Sequence, residues 1–579
     1  MSTTHTVAFR ADASGGDGRW WRRGLKRSRD GWIDVLVGLL CILPLLLTAH
    51  LPLSDLPNHL ARQYILRDWA SSPSLQQFYY IHWDLVPNLA LELFVLAARQ
   101  VMSIDLAVRA FCLSTVLMLF LGTRLINRTL SGGQSRAYRV APLLCYGGPF
   151  QYGFLSYCFG IGLALVLFGV WLRLRARPLA ARVRFLVVSG FGLMLCHFAA
   201  YGLFAIAVGL CELTDGVAAD GWRRPLAALR RGLLPVACLV PVFIVFLLLS
   251  PTTGAVAGNV VQFSTLHEKL RSFLAITFFT SPKLESGLLM LAVAAFTAGL
   301  LTRTFRFHAT GLAIGVVMTV AWLAMPNIAM DTAFIDYRFP WAISFFVVAG
   351  LLPGPAHARW VRPFAAGFTV LTVARIALIA GQWLSWEPTL AAIDQALARL
   401  PIGSRIMVIE GRLPSGLRYR WPDLANVASY AVARRQAFEP AMFASIAGQI
   451  LYFKPRYLEL WQQGGYGIVM PDTLDSLAPE YDYVLDLLPE LTHIAPGLPL
   501  VCQESGHDFA ILKVVPSGAG TFERDGICVR PTRVRPRAQG DEKPPGPAGG
   551  ASARSRSAVG GSTTLDTSFS RPASVIVRG

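Results

Sequence analysis

The sequence predicts an α-helical protein that crosses a membrane many times and carries a small α/β domain near its C-terminal end. Of its 579 residues, 54% are hydrophobic and 15% are charged, with a mean hydropathy of +0.47. Soluble domains carry about a quarter charged residues. Apolar runs near the roughly 20 residues that a spanning helix needs recur along the chain. After residue 385 they give way to short β-type runs.

Eleven apolar runs are candidate spans, and they define a predicted transmembrane domain over residues 32–384. We expect the short runs around 137–149 and 185–212 to form paired half-length or tilted helices, joined by the turns GGPFQYG and CHFAAYG. The candidate spans are 32–50, 104–123, 137–149, 154–172, 185–197, 198–212, 232–250, 286–302, 309–325, 339–353 and 364–384.

The basic residues predict how these spans are oriented. The formal net charge is +18, but the arginines form short clusters between apolar runs, so nucleic acid is not an expected partner. Membrane proteins concentrate Lys and Arg in cytoplasmic loops. The clusters occupy alternate loops, which predicts a bacterial inner-membrane protein with a cytoplasmic N-terminus (residues 1–31) and a periplasmic C-terminal domain. Cluster members include Arg22, Arg124, Arg175, Arg223, Arg303 and Arg359.

The C-terminal region changes character along its length. The runs SRIMVIEG, YDYVLDLL and DFAILKVV have strand character, and the segment between the first two indicates helices. Residues 385–530 are therefore predicted to form the α/β domain. Residues 531–579 are rich in Arg, Pro, Gly and Ser, which predicts a disordered tail.

Two of the nine cysteines, Cys502 and Cys528, fall in this polar region. An oxidising compartment would let them form a disulfide, which would close a loop of about 26 residues and contribute roughly 3 kcal/mol. Two free thiols are the alternative. No cysteine spacing indicates a metal site.

The first outer loop, residues 51–103, begins with LPLSDLPNHLARQYILRDW. The spacing of Asp55, His59 and Arg62 puts them on one helical face. One hypothesis is structural, since Asp55 precedes Leu-Pro and can cap a helix whose other polar residues anchor it at the interface. The other is chemical, because a carboxylate can act as a general base and Arg and His suit a phosphate group.

Three further polar residues also allow both a structural and a functional interpretation. Asp84 is either a turn residue or part of the site. His197 is either a satisfied core residue or faces a water-filled cavity, as polar groups at membrane depth usually do. Arg338 either pairs with Asp336 or binds a lipid-linked phosphate at the membrane surface.

In this order, the segments resemble the C-type membrane glycosyltransferases, which include protein O-mannosyltransferases and bacterial aminoarabinose transferases. That family begins its first outer loop with a key acidic residue, where this chain has SDLPNHLARQYIL with Asp55. An acidic-plus-PP segment and an amphipathic helix follow there, where this chain has WDLVPNLALELFVLAARQ with Asp84. His197 stands in place of the lysine in an LTKG turn, and Arg338 of YRFP in place of the arginine in RYLLP. The resemblance covers about residues 30–385, with one Asp for two adjacent acids and Pro-Asn for PP.

The resemblance implies direct displacement of polyprenyl phosphate from a lipid-linked sugar, with inversion at the anomeric carbon. Asp55 would be the base, and the acceptor is a lipid, glycan or protein of the envelope. No cofactor is required, and the chain has no Gly-rich phosphate loop. Asp84 and His267 could share a divalent ion if their loops meet. The substrate-binding residues would be His59, Arg62, Asp84, His197 and Arg338.

Two other functional classes remain open. A transporter or flippase of lipid-linked intermediates would show internal repeats and charges inside its spans. Here no repeat is clear, and Arg375 is the only clear mid-span charge. A non-catalytic component of envelope polysaccharide assembly is the other alternative, and the reduction of the acid pair to one Asp favours it.

Overall fold

The computed structural model describes residues 29–515, apart from 222–223, 251–260, 278–281, 330–331, 355–357, 411–423, 447, 464–467, 470–473 and 490–497. The basic N-terminus up to residue 28, the tail 531–579 and Cys528 lie outside the described residues. Cys502 is disulfide-bonded, and its predicted pairing with Cys528 stays a prediction.

Helices make up most of the described chain as far as residue 397. In chain order they are α1 (Arg29–Leu47), α2 (Leu56–Asp68), α3 (Pro73–Phe78), α4 (Ala90–Ala98), α5 (Ile104–Leu130), α6 (Gly148–Gln151), α7 (Leu155–Arg173), α8 (Leu179–Cys196), α9 (Phe198–Asp220), α10 (Pro225–Ala237), α11 (Val240–Leu249), α12 (Leu266–Ser272), α13 (Pro282–Leu301), α14 (Ala309–Ala324), α15 (Ile335–Ala349) and α16 (Ala358–Leu397). The short strands among them are β1 (Tyr79–Ile81), β2 (Phe305–Phe307) and β3 (Leu351–Pro353).

The helices confirm a multi-pass membrane protein. Among the described residues, six helices are long and apolar enough to cross a membrane, namely α5, α7, α8, α9, α13 and α16. The pair α10 and α11, bent by 40° at a short break, adds a seventh span if the two helices cross together. Pro235 inside α10 and Pro241 at the start of α11 explain the bend, because proline lacks a backbone donor and clashes with the preceding turn. The apolar helices α1 and α14 are shorter.

The predicted span 137–149 is not a continuous helix. It begins as a 3₁₀ helix over Ala137–Leu143, and the short α6 follows only at Gly148. Pro142 and Pro149 remove backbone donors from this run, so an unbroken ladder of helical hydrogen bonds cannot form. Non-helical backbone at membrane depth must find its hydrogen-bond partners in the surrounding protein.

Arg375 of α16 provides those partners. Its buried guanidinium donates to the backbone carbonyls of Leu143 and Tyr146, both at 2.7 Å, and to that of Thr277 at 2.8 Å. The carboxylate of Glu285, 3.9 Å away, balances its charge. The mid-span arginine noted in the sequence therefore stabilises a broken stretch of backbone.

The runs 185–197 and 198–212, predicted to be half-length or tilted helices, belong to helices long enough to span a membrane. α8 has 18 residues and α9 has 23. Arg182 lies inside α8, where it pairs with Glu212 at 2.7 Å and stacks on the Trp171 ring at 4.4 Å. Because Glu212 and the Trp171 ring compensate the charge of Arg182, α8 can include residues that precede the apolar run.

Arginines from several of the clusters form ion pairs at one end of the bundle. Near the start of α1, Asp34 accepts hydrogen bonds from Arg124 at 2.8 Å and from Arg139 at 3.0 Å. Between α7 and α9, Arg175 pairs with Asp215 at 2.9 Å. We call this the arginine-rich end. The side of the membrane that it faces stays a prediction.

The opposite end carries the predicted α/β domain. Its strands are β4 (Ile406–Glu410), β5 (Leu451–Phe453), β6 (Ile468–Val469), β7 (Tyr483–Leu487), β8 (Leu500–Ser505) and β9 (Phe509–Val514), and its helices are α17 (Ser429–Arg435), α18 (Pro455–Gln463) and α19 (Leu474–Leu477). The main sheet has the order β6-β4-β7-β9-β8, with β4 parallel and β9 antiparallel to both neighbours. The three predicted strand runs are β4, β7 and β9. The segment predicted to be helical, DLANVASYAVARRQAFEPAMFASIAGQIL, contains one helix, α17, in its described residues.

The first outer loop packs into this domain. β1 of the loop pairs antiparallel with β5, with Tyr79 opposite Phe453. Phe78 lies in one hydrophobic core with Phe438, and their ring centres are 5.7 Å apart. Although the sequence assigns loop 51–103 to the transmembrane domain, its helices and strand share a core with the C-terminal domain.

His50, just after α1, connects the bundle to α16 through two carboxylates. Its Nδ1 lies 2.8 Å from Glu387 Oε1 and its Nε2 lies 3.2 Å from Asp394 Oδ2. The hydrogen bond to Asp394 raises the pKa of His50, burial opposes this shift, and Glu387 adds to it. Carboxylates only accept at neutral pH, so both ring nitrogens donate and the imidazole is protonated. Asp394 also accepts two hydrogen bonds from Arg434 of α17.

We expect this cluster to make stability depend on pH. Because the pKa of His50 is raised in the folded protein, its contribution is complete below about pH 6.5, the ordinary value, and is lost as the pH rises through the folded value. His50→Gln should therefore destabilise by roughly 1–3 kcal/mol at about pH 6, and by little at about pH 9. Thermal unfolding of both proteins in detergent checks this. A difference that stays constant across this pH range would contradict it.

Candidate active site

The candidate site lies at the N-terminal end of α2, where the chain leaves the bundle opposite the arginine-rich end. Asp55 is the only residue between positions 51 and 63 that is not buried. It occupies the N-cap position of α2, but its side chain makes no capping hydrogen bond. Helix capping therefore does not account for this carboxylate, which is partly exposed.

The turn 147–153 holds the backbone of Asp55. The Asp55 N–H donates to the Tyr152 carbonyl at 2.9 Å. Gly153 has a φ of +87°, and a Cβ at this position would lie 3.0 Å from the Asp55 nitrogen. Both the backbone conformation and the close approach require glycine. The GGPFQYG turn thus forms a rigid support for Asp55.

His59 and Arg62 are buried beneath this support. His59 Nε2 lies 3.0 Å from the Gly153 carbonyl, and Arg62 donates to His59 Nδ1 at 3.1 Å. A carbonyl only accepts and a guanidinium only donates, so the imidazole is neutral with its proton on Nε2. Burial, helped by the charge of Arg62, lowers the pKa of His59 to about 3. Arg62 is ion-paired with buried Glu92 and hydrogen-bonded to Gln449, so neither side chain is exposed beside Asp55.

Arg338, near the start of α15, brings a cation to the same region. Its guanidinium carbon is 3.9 Å from the centre of the Phe154 ring, and Nη2 donates to the Ala333 carbonyl at 3.1 Å. Its Nε is buried and has no hydrogen-bond partner among the described residues. The guanidinium is close enough to Asp55 for the two charges to act on each other.

The alternative partner for Arg338, Asp336, is occupied elsewhere. Asp336 is buried and pairs with the Lys269 ammonium at 3.5 Å. Within the described part of the chain, Arg338 forms no ion pair with a carboxylate. Asp336 is therefore not the ion-pair partner of Arg338.

Four aromatic rings pack beside these two charged residues, and we call them the aromatic wall. The ring of Tyr152 is stacked with that of Phe154 at 5.6 Å and with that of Phe334 at 5.9 Å. Tyr337 meets Tyr152 edge-on at 5.6 Å. All except Tyr337 are partly exposed. Aromatic faces of this kind bind apolar surfaces and cations.

The C-terminal domain adds a residue that the sequence did not identify. Asn426 Nδ2 donates to Asp55 Oδ1 at 3.2 Å and to the Ser54 carbonyl at 3.1 Å. No motif marks Asn426, which lies in a segment predicted to be an ordinary helix. Its 371-residue separation from Asp55 is bridged only by the docking of the domain.

The structure places His197 one layer behind Arg338. His197 Nδ1 accepts from the Ala199 N–H at 3.1 Å at the start of α9, so this residue caps the helix. Its ring meets Tyr157 edge-on at 5.1 Å, and the Tyr157 hydroxyl donates to the Arg338 carbonyl at 2.9 Å. In this arrangement His197 supports the backbone that carries Arg338.

Asp84 and His267 lie apart from this cluster in the contacts that they make. Asp84 Oδ2 lies 2.8 Å from His82 Nδ1 and accepts from the Tyr452 hydroxyl at 3.4 Å. His267 is exposed on α12. In the described residues, the group of three potential metal ligands is Cys211, Glu212 and Asp215. That group lies at the arginine-rich end, so a shared metal at Asp84 and His267 stays a prediction.

These side chains together offer a proton acceptor, a cation and a set of aromatic ring faces. A partly exposed carboxylate can accept a proton, and a guanidinium can stabilise negative charge on a phosphate. The aromatic wall lies beside them. A substrate that spans the distance from base to cation and carries an apolar face would match all three.

Comparison with known proteins gives similarity to solved structures and no match by sequence. No family model matches the chain, and no curated protein sequence matches it. The crystal structure of ArnT from Cupriavidus metallidurans bound to undecaprenyl phosphate shares 12% sequence identity, with a TM-score of 0.46. The match covers 85% of this chain and 100% of that chain. At this level the similarity assigns no role to any residue of the site.

Proposed function

We propose that this membrane protein transfers a sugar from a polyprenyl-phosphate-linked donor to an envelope acceptor on the periplasmic side. One observation carries the proposal. In a segment that is otherwise buried, Asp55 alone is partly exposed, and it lies near Arg338, whose guanidinium forms no ion pair with a carboxylate in the described chain. Base and anion ligand thus meet at the end of a helical bundle where a lipid-linked substrate would present its headgroup.

In the proposed reaction, the Asp55 carboxylate takes the proton of an acceptor hydroxyl or amine. The acceptor atom then attacks the anomeric carbon and a new glycosidic bond forms. The bond from that carbon to the phosphate oxygen breaks, and its electron pair leaves with polyprenyl phosphate. Arg338 stabilises the negative charge that develops on the departing phosphate. Attack opposite the leaving group inverts the anomeric carbon.

The surroundings of the site suit a donor with one polar and one greasy end. The aromatic wall offers a ring face to the apolar side of a sugar. Immediately beyond His197, Phe198 is 47% exposed and packs against Phe243 at 6.0 Å. Such exposed rings are typical of helix surfaces that contact lipid. The polyprenyl chain could therefore remain in the bilayer while the sugar reaches Asp55.

A transporter is supported by one feature, the broken backbone around 137–151 with Arg375 inside the bundle. Transporter sites are often built from interrupted helices whose free backbone groups bind the cargo. Here three backbone carbonyls, two of them in the broken run, accept hydrogen bonds from Arg375, and Glu285 balances the charge. These groups are occupied by protein, which favours transfer over transport.

The test uses purified protein in vesicles with undecaprenyl-phosphate-linked sugars, radiolabelled in the lipid and supplied with candidate acceptors. We expect free undecaprenyl phosphate to be released in proportion to protein. A flippase would move the intact lipid-linked sugar between leaflets without cleaving it, and a non-catalytic assembly protein would do neither. Absence of release across a panel of sugars and acceptors would reject the transferase proposal.

A further inference from the structure

We propose that Asn426 is a positioning residue for Asp55, and that Asn58 fixes the orientation in which Asn426 acts. The C-terminal domain would then complete the site instead of merely covering it. The catalytic meaning of this inference rests on the proposed function, whereas the geometry on which it is built does not.

The argument begins with Asn58, which is 1% exposed. Its Oδ1 accepts from the Phe443 N–H at 2.7 Å, and its Nδ2 donates to the Ala441 carbonyl at 2.8 Å. A backbone N–H can only donate and a backbone carbonyl can only accept. These two partners therefore fix which end of the Asn58 amide carries the nitrogen, an assignment that otherwise depends on the network.

The orientation of Asn58 determines that of Asn426. Asn58 Nδ2 also donates to Asn426 Oδ1 at 3.0 Å. The oxygen of Asn426 must face Asn58, so its nitrogen faces Asp55 Oδ1 and the Ser54 carbonyl. With the reverse orientation, Asn426 would place an oxygen against a carboxylate and a carbonyl.

The hydrogen bond from Asn426 affects both the charge and the position of the Asp55 carboxylate. A hydrogen bond donated to an ionised carboxylate favours the ionised form, which is the form that can accept a proton from the acceptor. It also limits the rotation of the carboxylate, and misplacement by about 1 Å can cost about a hundredfold in rate. A merely structural contact between loop and domain would hold the domain in place without changing the protonation of Asp55.

The experiment reads the protonation of Asp55 directly in the full-length protein in detergent. A water-soluble carbodiimide with glycine ethyl ester modifies protonated carboxyl groups, and mass spectrometry quantifies the Asp55 peptide across a pH series. In Asn426→Ala and Asn426→Asp we expect the pH midpoint of labelling to move upward, because the lost donor no longer favours the ionised carboxylate. Asp68, on the surface of α2, is the internal reference and should not move.

A second measurement tests whether Asn58 acts on Asp55 through Asn426. Asn58→Ala should shift the Asp55 midpoint in the same direction, and the double variant should shift it no further than Asn426→Ala alone, because both changes remove one coupled contact. If Asn58→Ala does not fold, the two Asn426 variants still decide the question. An unchanged midpoint, or extra labelling of equal size at every pH, would overturn the proposal.

Turnover separates this inference from the proposed function. Where transfer is measured, Asn426→Ala should lower kcat about tenfold to a hundredfold and move the acidic limb of the pH–rate profile to higher pH. If the wild-type protein releases no polyprenyl phosphate, the transferase proposal fails while the labelling result still judges the role of Asn426. If transfer occurs and neither the limb nor the labelling midpoint moves, only the positioning proposal fails.

Discussion

Asp55→Asn should reduce sugar transfer by a factor of about 10²–10⁴, the range expected when a general base is lost. The amide cannot accept the proton of the acceptor, so the nucleophile must attack in its protonated form. We expect the loss to fall mainly on kcat, because proton transfer belongs to the transition state and not to substrate binding.

The structure indicates that this substitution leaves the fold intact. The Asp55 side chain does not cap α2, and its neighbours on the turn 147–153 contact its backbone. The oxygen of the substituted amide can still accept the hydrogen bond from Asn426. Folding stability should therefore change by less than about 1 kcal/mol, within the ordinary range of a neutral hydrogen bond.

Asp68→Asn is the matched control. Asp68 lies at the other end of α2 and is held by Arg67 through two hydrogen bonds of 2.6 and 2.7 Å at the surface. We expect near-normal transfer, because exposed ion pairs contribute little. Membrane-inserted protein is matched by blot. Near-normal transfer by Asp55→Asn would reject the assignment, and equal loss in both variants would show that damage to the loop explains the effect.

The fold could be predicted from sequence where one physical signal dominates. Long apolar runs predict α5 and α7 because an unbroken helix is the simplest way to satisfy backbone groups in lipid. The run 137–149 is also a candidate span by sequence, but its prolines break the helix and its carbonyls rely on Arg375. That partner lies more than 200 residues away, and hydropathy contains no information about it.

The candidate site, too, could be predicted from the sequence only in part. The position of Asp55 after the first span predicts a polar residue at the end of the bundle, and the structure finds it partly exposed there. The helical spacing also groups His59 and Arg62 on one face correctly, but it does not show that this face is buried. Burial depends on the C-terminal domain, through Gln449 and its neighbours, and docking of that domain cannot be read from local spacing.

Arg338→Gln should give the second large effect, a loss of about 10²–10³ in transfer, similar to removal of one donor that stabilises developing negative charge. The glutamine removes the positive charge and the contact with the Phe154 ring. Arg338→Lys keeps the charge but loses the planar group and its geometry, so it should recover only part of the rate. Arg456→Gln is the matched control, since Arg456 is exposed and pairs with Glu480 at 3.0 Å.

Product inhibition distinguishes an anion ligand from a structural arginine. If Arg338 binds the leaving phosphate, Arg338→Gln must weaken inhibition by free undecaprenyl phosphate as well as slow transfer, because the product carries the phosphate that the cation contacts. A structural role would slow transfer through a disturbed Asp55 and leave product affinity unchanged. The buried, unpartnered Nε of Arg338 and the absence of a carboxylate partner in the described chain favour the first outcome. Unchanged inhibition together with normal transfer would remove Arg338 from the site and leave the aromatic wall without its cation.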